Sequence, residues 1–535
     1  MRRALGSLRP WAALAAAALN AGCGIGSAAA QPTGSNLLIG QVGALLPRSS
    51  FDRGPSNRQN FYEQLNLEYA YASGLIGVRF EGFRSSEKEF PIGQEMPYAG
   101  ISQRFADWTD GRYRLRVGNF YTIVGRGLAH RSFELTGVVL DKPGSHARYA
   151  PSRDVDGVLA EANAGPLSAS LFSGSPTDGT VTLGEETSDN QRHRGQISGG
   201  QLATTVYREA RVGVGYLRNQ AGFNPRRRLA RQEEIGTGFV EFDPLRVLGI
   251  GPLSLPLYFE YATKNRTFGE WWDFRTGRRT SHALYADANL LWGAFGFSAE
   301  WKDYADFRLG TNDPPSLVRE QSQALLNRST HVLDAQAEEG FQLEASYAVS
   351  GWLTAIANLS RSDDTLGHRF VEHYAELHAA PRGAERWDAT LFYDSGRDGF
   401  TSVEDRRTYG AATTVRVVRG FSGTIDFQRQ TGRRIPLFRH PRYENVYLSW
   451  TAAAADLGSL AMVWERTTDE LDPSFPSGRT RPLHLISWIL NARLTPRHDA
   501  TLFVGQRRGG LACTAGTCYE VQPFEGAELR LVSRF

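Results

Sequence analysis

Arg112, Arg114 and Arg116 occupy every second position of one stretch, with Tyr113, Leu115 and Val117 between them. On an extended strand the arginines share one face and the apolar residues the other. Guanidinium groups on a lipid face are costly, so these three must line water or meet acids across a sheet, such as Glu68 or Glu161. In water they would form an anion-attracting filter; against acids they would be structural cross-links. An irregular segment follows, in which Gly125-Arg-Gly127 permits tight folding and Arg126, His130, Arg131 and Glu134 lie close in sequence. Further on, Asn327-Arg-Ser-Thr-His331 brings Arg328 and His331 beside Ser329, with Asp334 behind. Ser, His and Asp are the residue types of nucleophilic catalysis, but such proximity within one loop arises readily by chance. We read these residues as loop-packing or lumen-facing and expect no enzyme. His368, His373 and His378 recur every five residues, which on a strand sends successive ones to opposite faces, so no shared metal is expected. No phosphate-cradling P-loop and no dinucleotide fingerprint is present, and no cofactor is expected.

The elements that must position these residues are strands. Amphipathic stretches of roughly ten residues recur from residue 36 to the C-terminus, and aromatics make up 11% of the chain. No run of 18 apolar residues, fixed-period repeat or Pro/Ser-rich linker interrupts them. At the N-terminus, Arg2, Arg3 and Arg9 precede the apolar stretch 11–19 and an A-x-A site at 28–30. Residues 1–30 therefore read as a secretory signal peptide, with cleavage at Ala30 preferred over lipoprotein processing before Cys23. The signal carries three Arg and no acid, so the formal charge of +3 belongs to it and residues 31–535 balance at zero. That balance gives no electrostatic reason to expect nucleic acid. Export also makes Cys513 and Cys518 a disulfide across a loop tip. The closing residues place Ala527, Leu529, Leu531, Ser533 and Phe535 on one face and Glu528, Arg530 and Arg534 on the other. A strand ending at an aromatic carboxylate is similar to the closing strand of bacterial outer-membrane barrels, where Phe535 would be part of the assembly signal.

Counted back from Phe535, connections alternate between long and short, with one slack case at 243–252. Outer-membrane barrels have short periplasmic turns and long external loops, whereas soluble sandwiches have no reason to sort loop length by parity. The expectation is an all-β chain, 31–535, forming a single antiparallel transmembrane barrel of about 24 strands, within about 22–26. External or inward-folded loops are expected at about 122–154, 174–198, 304–339 and 509–523. Leu65, Tyr113, Phe297, Ile425 and Leu531 should face lipid, and Glu68, Arg114, Glu300, Asp426 and Arg530 the lumen. So wide a lumen needs narrowing, and 122–154 and 304–339 are the candidates, with Arg126 and Arg131 joining the arginine strip in one positive zone.

The segments Val117-Gly-Asn-Phe-Tyr121, Gly125-Arg-Gly-Leu128, Arg131-Ser-Phe-Glu134 and Asn312-Asp-Pro-Pro-Ser-Leu-Val318 resemble an uncharacterised family of bacterial outer-membrane proteins. So do Asn327-Arg328, Thr330-His331, Glu339-Gly-Phe-Gln-Leu-Glu344, Arg508-Gly-Gly510, Cys513, Cys518 and Phe535. The resemblance implies a β-barrel in the outer membrane, in contact with its lipids and its assembly machinery, and no known activity. Two functions follow: a porin-like channel for small polar or charged solutes, or a blocked structural or secretion-associated barrel whose outer loops bind a protein partner.

Overall fold

The computed structural model describes residues 32–45, 58–86, 98–142, 147–176, 195–207, 210–224, 229–249, 253–268, 281–333, 337–381, 387–418, 420–435, 441–475, 481–514 and 517–535. The signal peptide with Cys23, most of the loop expected at 174–198, and Asp334 lie outside these residues.

One antiparallel sheet of 24 strands makes up almost all of the structure. Each strand pairs with its neighbours in sequence, and the first, Pro32–Leu45, pairs on one side with Arg58–Tyr71 and on the other with the last, Phe524–Arg534. The ring is therefore closed, as a spanning sheet must be, because an open edge would leave backbone N–H and C=O groups without partners in lipid. Gly34 and Phe535 complete the seam by exchanging both backbone hydrogen bonds, at 2.8 and 3.0 Å.

Alternation sets the two faces. On Arg58–Tyr71, Asn60, Tyr62 and Gln64 are buried inside while Phe61 and Tyr69 are exposed outside. Tyr113, Leu115, Trp301, Ile425, Trp450, Trp488 and Leu529 are likewise exposed on the exterior. The five residues expected outside and the five expected inside fall on opposite faces accordingly. An apolar, aromatic-rich exterior of this extent suits lipid, not water.

Strand ends depart from the sequence reading on the rim that carries the long loops. The strands Val403–Val418, Trp387–Asp398 and Leu353–Asp364 run further than their apolar alternation shows. Three connections on this rim, at 225–228, 365–368 and 399–402, are consequently short. The added residues, such as Asp398 and Arg406, are polar inside as well as out, so a two-residue apolar period cannot mark them. The slack connection at 243–256 contains a five-residue helix, Pro244–Leu248. Asp243 caps it by accepting from the backbone N–H of Leu245 and Arg246, and Gly249 ends it in the left-handed region. The next strand starts at Leu257, directly after Pro256, which has no N–H to give the ladder.

Leu529 lies at the middle of the closing strand and points outward. Leu529→Arg should destabilise the barrel by about 2–4 kcal/mol, as for a cation at the bilayer midplane. Reversible guanidinium unfolding in phospholipid bilayers measures this, and an unchanged midpoint would show that the face does not meet lipid.

Candidate channel constriction

The arginine strip sits on Tyr113–Phe120. Arg116 pairs in register with Leu159, and Arg114 with Glu161, which places both arginines on the inner wall. Arg114 meets Asp107 at 2.6 Å and Glu161 at 3.1 Å. Arg116 reaches the same Asp107 at 3.4 Å, donates to the Asn119 carbonyl at 2.7 Å and lies 3.7 Å over the Phe105 ring. Arg112 falls in the preceding turn, where its backbone N–H donates to Asp110 at 2.9 Å. Of the two acids considered from sequence, Glu161 is the one that meets the strip.

The segment 121–154 folds into the barrel. Gly125 takes a left-handed φ of 59°, and a Cβ there would run into the Glu260 carboxylate. The turn lets the Gly125 N–H donate to Gln201 and the Arg126 N–H to Glu260, both at 2.7 Å, on strands far along the sequence. The Arg126 guanidinium pairs with Asp287 at 2.8 Å above the Tyr258 ring. Behind this turn Val124, Leu128 and Ala129 are fully buried against wall residues including Leu159, Ile197, Leu217 and Ile235. His130 stacks on Phe172 and contacts the Ser132 hydroxyl at 2.9 Å. Burial, aided by Arg153, pushes its pKa down to about 3, so the ring is neutral. Glu134 accepts from Tyr121 at 2.8 Å and pairs with Arg79 at 2.7 Å, fastening the segment to the wall strand Gly74–Ser85.

The segment 306–333 enters the lumen from Phe295–Ala305 and is laced to the first. Arg131 pairs with Asp313 at 2.8 Å, Arg153 donates to the Asn312 carbonyl at 2.7 Å, and Asn312 donates to the Leu128 carbonyl at 3.1 Å. It then crosses to the far wall, where Gln323 donates to Tyr374 at 2.8 Å, the Leu325 N–H to Gln428 at 2.9 Å, and Arg328 grips both Glu465 oxygens. A third segment arrives from the hairpin 510–521, closed by the Cys513–Cys518 disulfide. The Asn327 amide donates to the Cys513 carbonyl and accepts from the Cys513 N–H, both at 2.9 Å.

The three segments thus meet one another inside the ring. The expected single positive zone is not what they form: Arg114 and Arg116 share Asp107, Arg126 faces Asp287, and Arg131 faces Asp313. Several arginines in one lumen need counter-charges, and neighbouring strands and loops supply them. The Ser329 hydroxyl donates to the Leu325 carbonyl at 3.0 Å and accepts from Gln430, while His331 turns to Glu338 and Asp398. The nucleophile pattern is therefore pulled apart. His378 meets Thr390 inside the barrel and His373 is exposed outside, and among the described residues no group of three potential ligands can hold a metal ion.

Sequence reasoning missed the latch that holds the second segment to the wall. Lys302, fully buried, pairs with Glu338 at 2.6 Å and donates to the Ser316 carbonyl. His331 contacts the same Glu338 at 3.1 Å, lies 3.8 Å from Asp398, and is sandwiched by Phe370 and Phe400. His331 was singled out from the sequence but its partners were not; Lys302, one of four lysines in the chain, was the other possible signal.

No family model and no curated protein matches the sequence. Among solved structures the chain is similar to the outer membrane protein opdK from Pseudomonas aeruginosa, at 12% identity and a TM-score of 0.38, covering 72% of this chain and 97% of that one. A BenF-like porin from Pseudomonas fluorescens Pf-5 gives 9% and 0.38, covering 72% and 98%. The P pilus usher (PapC) translocation pore gives 10% and 0.45, covering 94% and 98%. At these values the likeness carries no inference about activity; the closed barrel rests on its own strand pairing.

Burial opposes charge on His331, but Asp398 and Glu338 outweigh it and raise its pKa above the ordinary 6.5. A raised histidine pKa gives stabilisation that is fully present below the ordinary value and is lost as pH rises through the raised one. Hydrogen exchange of residues 321–331, corrected for intrinsic rates, should therefore be faster at a pH well above the ordinary histidine value than at one below it, and His331→Phe should abolish that difference. Equal protection at both pH values in the wild type would rule the latch out.

Proposed function

We propose that the chain is a channel of the bacterial outer membrane for small polar or charged solutes, and that the three inward segments hold it shut in this conformation. The observation that carries this reading is their mutual contact inside the ring, through Asn312 with Leu128 and Asn327 with Cys513. A structural barrel could be filled by a uniform apolar core. Here apolar packing is concentrated under 121–154 and the start of the second segment, where Phe307, Leu309 and Leu317 join it, while 321–331 and the third segment are held mainly by charged and amide pairs. Paired charges let a segment detach into water at small cost, because water and salt replace the partner, whereas a seated apolar core resists it. We assign 121–154 as the fixed filling and the region around 321–331 with 510–521 as the part that moves. Arg114, Arg116, Asp107 and Glu161 line the lumen away from these contacts; the Arg114 and Glu161 side chains are about a third exposed, while Arg116 and Asp107 are largely covered. In this reading the signal peptide delivers the chain to the periplasm, and Phe535 is read by the assembly machinery.

Planar-bilayer recordings test it. The wild type should open rarely, and deletion of 510–521 or Asn327→Ala should raise the open probability at least about tenfold, the equivalent of about 1.4 kcal/mol. In the opened variant, Arg114→Ala with Arg116→Ala should shift the reversal potential toward cations, and Asp107→Asn with Glu161→Gln toward anions. A folded deletion variant that never conducts would reject the channel and favour a blocked barrel serving a protein partner.

A further inference from the structure

The outward face of the five strands Trp387–Asp398, Val403–Val418, Phe421–Arg434, Arg442–Ala454 and Gly458–Thr467 changes character along its length. Towards the short turns it is apolar, with Trp387, Val415, Phe421 and Leu460 exposed. The apolar band continues through Tyr393, Tyr409, Phe427 and Trp450, and among the described residues no charged side chain takes an outward position up to that level. Towards the other rim, which carries the long loops, the outward positions hold Arg397, Arg407, Arg429, Arg433, Arg442 and Arg466. The first five are exposed and Arg466 is half-buried.

Strand register makes these arginines one patch. Arg433 stands directly opposite Arg442, and Arg429 and Arg466 flank Val446 from either side. Arg407 opposes Thr431, which sets it diagonally to both Arg429 and Arg433, and Arg397 follows Ser395, the partner of Arg407, by two residues. Diagonal neighbours of this kind are about 7–8 Å apart, within reach of long side chains. The acids of this face serve only half of them: Arg433 pairs with Glu404 and Asp405, while Glu444 is shared by Arg429 and Arg466. Arg397, Arg407 and Arg442 meet no acid among the described residues. Like charges directly opposite one another destabilise a sheet, and next to lipid they are poorly screened, so the patch calls for anions between its arginines. The depth of the patch says which anion. It begins two residues beyond Tyr409, Phe427 and Trp464, at the edge of the lipid-facing band, where interfacial aromatic residues belong. An occupant there lays apolar chains beside Tyr409 and Phe427 and holds its charge at the level of the arginines, which is the build of a lipid and not of a soluble anion. Guanidinium forks match phosphate oxygens in pairs. Five strands about 4.8 Å apart make the patch about 19 Å across, more than a single phosphate fills.

We propose that this face is a docking site for a lipid of the outer leaflet whose headgroup carries two phosphates. Arg397 and Arg407 take one phosphate, and Arg433 and Arg442 the other. Arg429 is held in place beside them, giving Nε to Glu444 at 2.7 Å and Nη1 to the Tyr409 hydroxyl at 2.9 Å. The site rests on the reading of the outer face as lipid-facing and does not require the channel, because binding is measured without conduction.

Native mass spectrometry of the full barrel in lauryldimethylamine oxide tests this, with bis-phosphorylated lipid A, its monophosphoryl derivative, phosphatidylglycerol and inorganic pyrophosphate titrated in turn. Lipid A should be retained saturably and at least about tenfold more tightly than the other three, a comparison that needs no variant. Arg407→Gln with Arg442→Gln should weaken lipid A at least about tenfold and keep the folded, heat-modifiable barrel, because neither arginine leaves an acid stranded. A wild type that retains no lipid A, or a double variant that retains it as well as the wild type, would overturn the proposal. Equal retention of the monophosphoryl derivative or of phosphatidylglycerol would also overturn it, as would equal binding of pyrophosphate, which would mark a site for free anions. A barrel that inserts into bilayers but holds no lipid A would remove the site and leave the lipid-facing exterior standing.

Discussion

Closure of the backbone ladder is the constraint on which the rest depends. In lipid an unpaired peptide group costs several kcal/mol, so a spanning sheet is stable only when its first and last strands pair. Here Pro32–Leu45 and Phe524–Arg534 do so, and 24 strands follow one another without a crossover. Closure at this strand number has a price inside. A ring so wide leaves a lumen that wall side chains alone cannot span, and every inward polar group then needs water or a partner. The inward segments are the answer the chain gives at one rim, where each buried arginine and lysine of the wall meets an acid, a carbonyl or an amide.

The filling is asymmetric for a physical reason. Under 121–154 the wall presents Leu159, Phe172, Ile197, Leu217, Ile235 and Phe239, so the inner face there is apolar and the segment is seated by burial. Phe307, Leu309 and Leu317 of the second segment join the same apolar cluster, but under 321–331 the wall presents Glu372, Asp394, Gln428, Gln430, Asn445 and Glu465, all buried, beside a small contact of Leu326 with Tyr374 and Phe392, so that stretch is seated mainly by directional bonds. Burial is non-directional and tolerant of small shifts; a network of ion pairs and amides has one good geometry and releases when one member loses its charge or its position. On the proposed channel reading, one barrel carries a permanent obstruction on one side and a conditional one on the other.

Much of the fold was legible because a lipid-facing strand must alternate. Tyr113 against Arg114, Ile425 against Asp426 and Leu531 against Arg530 show the period without help from tertiary structure, and the strand count follows from connection parity. The disulfide was legible from export and spacing. What stayed hidden obeys no local period. Asp398 and Arg406 lie on strand ends that are polar on both faces, so they read as loop. Arg328 finds Glu465, 137 residues away, and Arg131 finds Asp313 across 182. Arg114 and Arg116 were recognised as lumen residues, and their partners Asp107 and Glu161 both lie on adjacent strands where register could suggest them, though only Glu161 was considered; the partners of Arg126 and Arg131 depend on which strands and loops the closed ring brings opposite them.

The hairpin 510–521 lies directly before the strand that closes the ring, and its Cys513 backbone is clasped by Asn327 of the second inward segment. Seam and filling are thereby one operation in chain order. Insertion of Phe524–Arg534 against Pro32–Leu45 brings the hairpin, two residues before it, to the mouth of the ring. Residues 510–535 thus act as both the zip and the bolt of the barrel, so a chain truncated before residue 510 would lack the means to shut the wall and the means to secure what the wall encloses.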